Sequence, residues 1–153
     1  YSAGGHLATL LGMIGVSADL DAKTPGIRLQ AVVAGGAPVD FQNVRPASRG
    51  YTFLFGDTRA HLPGIYHDAS PIARIPASPP PVLFFHGTTD AIVSMKPVER
   101  MSRLLRSRGR PADLFRVRGA GHYGAALWPG ALRESIAFLR EHLAVSAKRT
   151  AAF

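Results

Sequence analysis

Three short strand-like runs set the strongest limit on how this chain can fold. Leu29–Ala34 leads into Gly35-Gly36-Ala37-Pro38, Val82–Phe85 follows Pro79-Pro80-Pro81, and Ala112–Val117 runs toward Gly119-Ala120-Gly121-His122. Runs of this length bounded by Gly and Pro read as strands, the first of them a buried, parallel-type strand. Segments of helical period lie between and around them. Leu7, Leu10, Leu11 and Ile14 predict a buried helix over residues 4–15, ended by Gly15. Val98, Met101, Leu104 and Leu105 against Arg100, Arg103 and Arg106 predict an amphipathic helix over 97–108, closed by Gly109 and Pro111. A last helix is expected over Leu132–Val145, with Ile136, Leu139 and Leu143 on one face and Ser146–Phe153 fraying beyond it. Alternation of strands and helices of this kind belongs to a parallel α/β sheet in a single domain, residues 1–153. Residues 17–26 read as a loop, and residues 38–80 lose the pattern apart from a short helix near Thr52–Phe55. So long an excursion suits a cap or lid.

The chain opens on Tyr1-Ser2-Ala3-Gly4-Gly5-His6-Leu7-Ala8, which matches G-x-S-x-G from its second position onward. That pattern places a serine on a sharp strand-to-helix turn. Small neighbours are needed there because the serine backbone is strained, and the following helix aims its free N–H groups at a developing oxyanion. Two further residues hold comparable positions: Asp90 just past the second strand and His122 just past the third. Ligands of open α/β sheets bind at the carboxyl ends of the strands, so Ser2, Asp90 and His122 are expected on one side of the sheet. The chemistry explains the trio. A serine hydroxyl needs a base, an imidazole can take and return its proton, and a carboxylate fixes the imidazole tautomer. Each residue also has a plainer reading. Asp90 could hold an Asx turn, His122 could be a loop histidine, and Ser2 could merely start a glycine-rich helix. Asp40 is the runner-up for the acid, with Asp57 and Asp68 behind it. His86 is expected to satisfy backbone groups and His6 to pack beside the site, while His61, His67 and His142 lack a strand-end setting.

Composition excludes several classes. With 153 residues, 46% hydrophobic and 18% charged, the chain can bury a core. No run reaches the length of a membrane span. No Cys is present, which removes disulfides and thiolate metal sites, and no His or acidic pair has zinc spacing. The net charge of +8 raises nucleic acid as a partner. Its densest basic run, Arg100 to Arg110, has no interleaved aromatics and reads as a solvated helix face.

In Ser2-Ala3-Gly4-Gly5-His6-Leu7-Ala8, Ala69-Ser70-Pro71-Ile72, His86-Gly87-Thr88-Thr89-Asp90-Ala91-Ile92-Val93 and Gly119-Ala120-Gly121-His122, the chain resembles the carboxyl-terminal half of an α/β-hydrolase. It is most similar to acetylesterase and feruloyl-esterase-like enzymes, with arylformamidases and prolyl-oligopeptidase-type hydrolases as neighbours. The resemblance implies a partial α/β-hydrolase fold, the last three strands of its parallel sheet flanked by helices, with a cap-like segment over about 41–68. It implies Ser2 as nucleophile, Asp90 as acid, His122 as base and the Ala3 N–H as an oxyanion donor. It also implies a small-molecule ester substrate and no metal or organic cofactor. Ser70-Pro71 would form a turn near the substrate pocket. The amino-terminal half of such a fold, including the strand before the serine, is expected to precede residue 1, and the chain alone is expected to fold poorly or be inactive. Amide, formamide or peptide cleavage by the same triad and a non-catalytic α/β binding domain are the alternatives. The resemblance is compatible with either a cytoplasmic or a secreted protein.

Overall fold

The structure, a computed structural model, describes residues 1–15, 29–45 and 48–150, with side chains through residue 143. Among these residues three parallel strands, β1 (Val32–Gly35), β2 (Val82–Gly87) and β3 (Ala112–Val117), lie in the order β1-β2-β3. Val32 is in register with Val82, and Val82 with Ala112. Among the described residues six α-helices accompany them: α1 (Ala3–Ile14), α2 (Arg49–Phe55), α3 (Pro63–Asp68), α4 (Lys96–Ser107), α5 (His122–Ala126) and α6 (Pro129–Thr150). A short 3₁₀ turn spans Pro71–Ala73.

Side chains alternate across the pleat and feed two cores. On one face Val32, Ala34, Val82, Phe84 and Ala112 pack with Met13 of α1 and Val98, Met101 and Leu105 of α4. On the other, Val117 joins Ala125 of α5 and Ala131 of α6, with Phe85 and Phe115 against them. Each fully buried side chain the size of Val, Leu, Met or Phe contributes about 1.5–3 kcal/mol. The amphipathic reading of α4 holds, with Val98, Met101 and Leu105 buried. Several of the nearby arginines bind backbone carbonyls: Arg106 donates to Ala112 O at 2.6 Å, Arg108 to Ile75 O at 3.3 Å and Arg110 to Ala77 O at 3.2 Å.

α1 corrects the expected orientation. Its leucine stripe faces outward, with Leu7 62%, Leu11 38% and Ile14 37% exposed, and Gly5, Thr9, Gly12 and Met13 meet the sheet instead. The reason is distance. A Cβ on Gly12 would sit 2.6 Å from Val32 Cγ2, and one on Gly5 would sit 3.0 Å from Gly35 O. Glycines let the helix axis come down onto β1, and a leucine face would hold it off. α6 departs in the same way: Ala131 and Phe138 are buried, whereas Ile136 and Leu143 are 42% and 44% exposed.

Other differences concern extent. The first strand is shorter than the apolar run, and α6 continues to Thr150 rather than fraying from Ser146. α3, the Pro71–Ala73 turn and α5 add to the elements expected from the sequence. The loop expected over 17–26 lies outside the described residues. Among the described residues no helix is long and apolar enough to cross a membrane, and no group of three or more His, Cys, Asp or Glu is arranged to hold a metal ion.

Candidate active site

Ser2 sits at the amino end of α1 with φ 52° and ψ −121°. It is the one non-glycine residue with positive φ among those described. Such a conformation costs about 1–3 kcal/mol and persists only where surroundings enforce it. Here the Ser2 N–H donates to Gly35 O at 2.8 Å, and His6 N–H donates to Ser2 O at 2.9 Å. The elbow is thus tied to the end of β1 on one side and to its own helix on the other. Ala3 is the first residue of α1, so its N–H lies among those a helix cannot satisfy internally.

The second and third candidates come from the ends of β2 and β3. Thr88 N–H donates to Val117 O at 3.0 Å, Thr89 N–H to Ala120 O at 3.1 Å, and Gly119 N–H to Thr88 Oγ1 at 2.9 Å, bracing the two loops together. Gly87 permits that approach, since a Cβ there would stand 2.2 Å from Ala120 O. Asp90 and His122 emerge from these braced loops.

The three side chains form one relay. His122 Nδ1 lies 2.7 Å from Asp90 Oδ2, and His122 Nε2 lies 3.0 Å from Ser2 Oγ. An ionised carboxylate can only accept, so Nδ1 carries the proton and Nε2 offers its lone pair to the Ser2 hydroxyl. Asp90 is fully enclosed, with no side-chain exposure. Desolvation, the largest influence, pushes its carboxyl up. The N–H groups of Val93 and Ile92 and the ring of His122 together outweigh it and hold the carboxyl below its ordinary value. The acid therefore stays ionised at neutral pH. An arrangement of this kind can activate a hydroxyl toward an acyl or phosphoryl centre.

The other candidates stand elsewhere. Asp40 is buried but accepts from Gln42 N–H at 3.0 Å and Asn43 Nδ2 at 2.7 Å, with Arg100 3.4 Å away. Asp57 pairs with His61, and Asp68 with His67 and Arg74, all at the surface. His142 packs on Phe138. His6 reaches Ala69 O at 2.8 Å and meets Phe41 edge to face. Ser70, wholly buried, donates to Tyr66 O at 2.7 Å and accepts from Phe41 N–H at 2.9 Å. His86 donates from Nε2 to Val93 O at 2.9 Å, as expected of a residue satisfying backbone. The same nitrogen lies 3.3 Å from Asp90 Oδ2, a contact that no motif or spacing signals. Tyr1 likewise reaches the carbonyl of His122 from the far end of the chain, again without a sequence signal.

A model of the BD-FAE family matches residues 1–105, more than half of the chain. The chain belongs to the BD-FAE family. Among curated proteins, Esterase LipC of Mycobacterium tuberculosis is 30% identical over 134 residues, which cover 79% of this BD-FAE chain and 32% of LipC. Among solved structures, a truncated carbohydrate esterase from gut microbiota superposes with a TM-score of 0.79 at 24% identity, over 93% of this chain and 57% of that one. Esterase 2 of the planctomycete Thermogutta terrifontis superposes with a TM-score of 0.66 at 25% identity, over 92% and 52%. That esterase has been solved phosphoramylated by tabun and phosphonylated by sarin. This BD-FAE chain is thus an esterase-like member of the α/β-hydrolase fold. It spans about a third of the length of the curated relative and about half that of these structures.

Proposed function

We propose that this chain carries the catalytic residues of a serine hydrolase that cleaves carboxylic esters of small molecules through an acyl-enzyme. The relay from Asp90 Oδ2 through His122 to Ser2 Oγ, at 2.7 and 3.0 Å, carries the reading. Ser2 Oγ attacks the ester carbonyl carbon while its proton passes to His122 Nε2. The carbonyl oxygen becomes an oxyanion beside the Ala3 N–H at the positive end of α1. Collapse breaks the bond to the alcohol oxygen, which takes the proton from His122 Nε2 and leaves. Water then gives its proton to His122 and attacks the acyl carbon, and the carboxylic acid departs as Ser2 regains its proton. Asp90 holds the Nδ1 proton throughout and stabilises the imidazolium.

The segment over about 41–68 serves as the cap. Phe41 receives Tyr51 and Phe55 edge to face, at 5.2 Å each, and Phe55 meets Tyr66 at 4.6 Å with the rings tilted by 58°, so α2 and α3 are pinned to the strand end beside His6. A cavity of about 260 Å³ opens where this segment meets Val93 and Ser94, just past Asp90. Val39, Val44, Tyr51 and Pro97 line it together with the polar Asp40, Asn43, Arg45 and Ser48, a mixture that suits a modest acyl or alcohol group carrying a polar substituent.

Covalent labelling by a fluorophosphonate tests the reading, because organophosphorus compounds modify the related esterase. The native gene product and the 153-residue chain are both treated, each beside its Ser2→Ala variant. Labelling and ester hydrolysis that vanish in Ser2→Ala are expected of the gene product. Hydrolysis that survives the substitution overturns the assignment, and labelling of the 153-residue chain shows that the elbow assembles within it.

A further inference from the structure

Tyr1, the residue before the nucleophile, reaches across the end of the sheet to the histidine loop. Its phenol O–H donates to the carbonyl oxygen of His122 at 2.5 Å. Its ring centroid lies 5.1 Å from the imidazole of His122 and 5.6 Å from the ring of Phe85. Two glycines at the end of β1 make this possible. A Cβ on Gly35 would stand 2.1 Å from the Phe85 ring. A Cβ on Gly36 would stand 2.6 Å from Tyr1 Oη, 2.7 Å from Tyr1 Cζ and 3.1 Å from His122 Cε1. Gly36 also has φ 54°, a conformation that disfavours other residues. The Gly35-Gly36 pair is therefore shaped to the two aromatic rings and to the imidazole.

Resting on the proposed triad, we infer that Tyr1 is a positioning residue that fixes the distance between Ser2 Oγ and His122 Nε2. The two reacting atoms sit on separate elements, one at the head of α1 and one at the head of α5. Asp90 holds the far side of the imidazole, so it sets the ring's tilt but not its approach to Ser2. Tyr1 is covalently next to Ser2 and hydrogen-bonded to the backbone of His122, which closes a short loop of contacts between them. Burial, with the Asp90 charge adding to it, raises the phenol to about 12, so it remains a donor wherever an esterase works.

Tyr1→Phe keeps the ring and removes only the donor. In the native gene product, kcat is expected to fall about tenfold with KM within about twofold, and the rate of fluorophosphonate labelling to fall by the same factor. Gly36→Ala, which displaces Tyr1 from its seat, is expected to give the same split of kcat from KM. Thermal unfolding is followed for both. If Tyr1→Phe leaves kcat and the labelling rate within about twofold of the parent, the inference is wrong. It is equally wrong if kcat, KM and the unfolding temperature all deteriorate together, since that marks a packing role. Failure of the triad assignment looks different: Ser2→Ala would then hydrolyse ester as fast as the parent.

Discussion

Replacing Asp90 by Asn tests the triad through a single atom. The two carboxylate oxygens are committed to different partners. Oδ1 accepts the N–H groups of Ile92 and Val93, both at 2.9 Å, so an amide nitrogen cannot occupy that position. The introduced amide would therefore turn its NH₂ toward the place of Oδ2. There it meets His122 Nδ1 at 2.7 Å and His86 Nε2 at 3.3 Å, both of which donate in the native arrangement. His86 is committed as a donor by Val93 O. His122 can relieve the clash only by moving its proton to Nε2, where it faces Ser2 Oγ and the base is lost. A triad caught in the wrong tautomer loses about 10,000-fold in kcat, which corresponds to about 5.4 kcal/mol of transition-state stabilisation. The frustrated donor beside His86 costs about 1–3 kcal/mol of stability in addition. Turnover of a p-nitrophenyl ester and the fluorophosphonate labelling rate are measured for Asp90→Asn and Asp40→Asn, with the fold checked by circular dichroism. Asp40→Asn is expected to stay within about threefold of the parent, since its partners are Gln42, Asn43 and Arg100. A folded Asp90→Asn protein that keeps more than about a tenth of the parental kcat refutes the tautomer argument, as does a collapse of activity in Asp40→Asn.

The buried polar groups set two further outcomes. Asp90 has its carboxyl held below the ordinary value, so its contribution to stability is complete above about pH 4 and is lost as pH falls through the folded value. Urea unfolding followed from about pH 5 down to about pH 2 should show this slope below about pH 4, and Asp90→Asn should flatten it. Ser70→Ala strands the Phe41 N–H inside the protein, because Ser70 Oγ is its partner at 2.9 Å. A loss of about 1–3 kcal/mol in unfolding free energy is expected, with kcat nearly unchanged. A kcat that falls by about a hundredfold would instead give Ser70 a direct part in the chemistry.

β1 and β2 were legible because burial leaves a largely apolar run that little else produces, whereas β3, with Asp113 and Arg116 exposed, was legible from its length between Pro111 and Gly119. β3 is found at Ala112–Val117, as expected, and α4 is shifted by a single residue from the expected 97–108. What sequence could not settle was which side of an apolar helix faces inward. In α1 the leucines drew attention and the glycines decided the packing, because contact with β1 is limited by backbone approach. The short helices were missed for another reason. α3 has six residues and α5 five, too few to show a period or to be stable without tertiary support. Pro63 at the first turn of α3 was the available signal. For the site, strand ends sufficed to bring Ser2, Asp90 and His122 to one place. The contacts of His86 and Tyr1 depend on how loops fold back, and no spacing encodes that.

With Asp90 as the acid of the proposed triad, the plain and the catalytic readings of a residue need not compete. Its Oδ1 closes an Asx-type turn on Ile92 and Val93, and its Oδ2 is thereby left facing His122. The turn is what aims the carboxylate. A rigid turn also explains how a buried acid can remain charged, since two backbone N–H groups supply the solvation that water would have given. Sequence spacing alone made the Asx turn and the triad acid look like alternatives at position 90. In the structure the first is the means of building the geometry that the second requires.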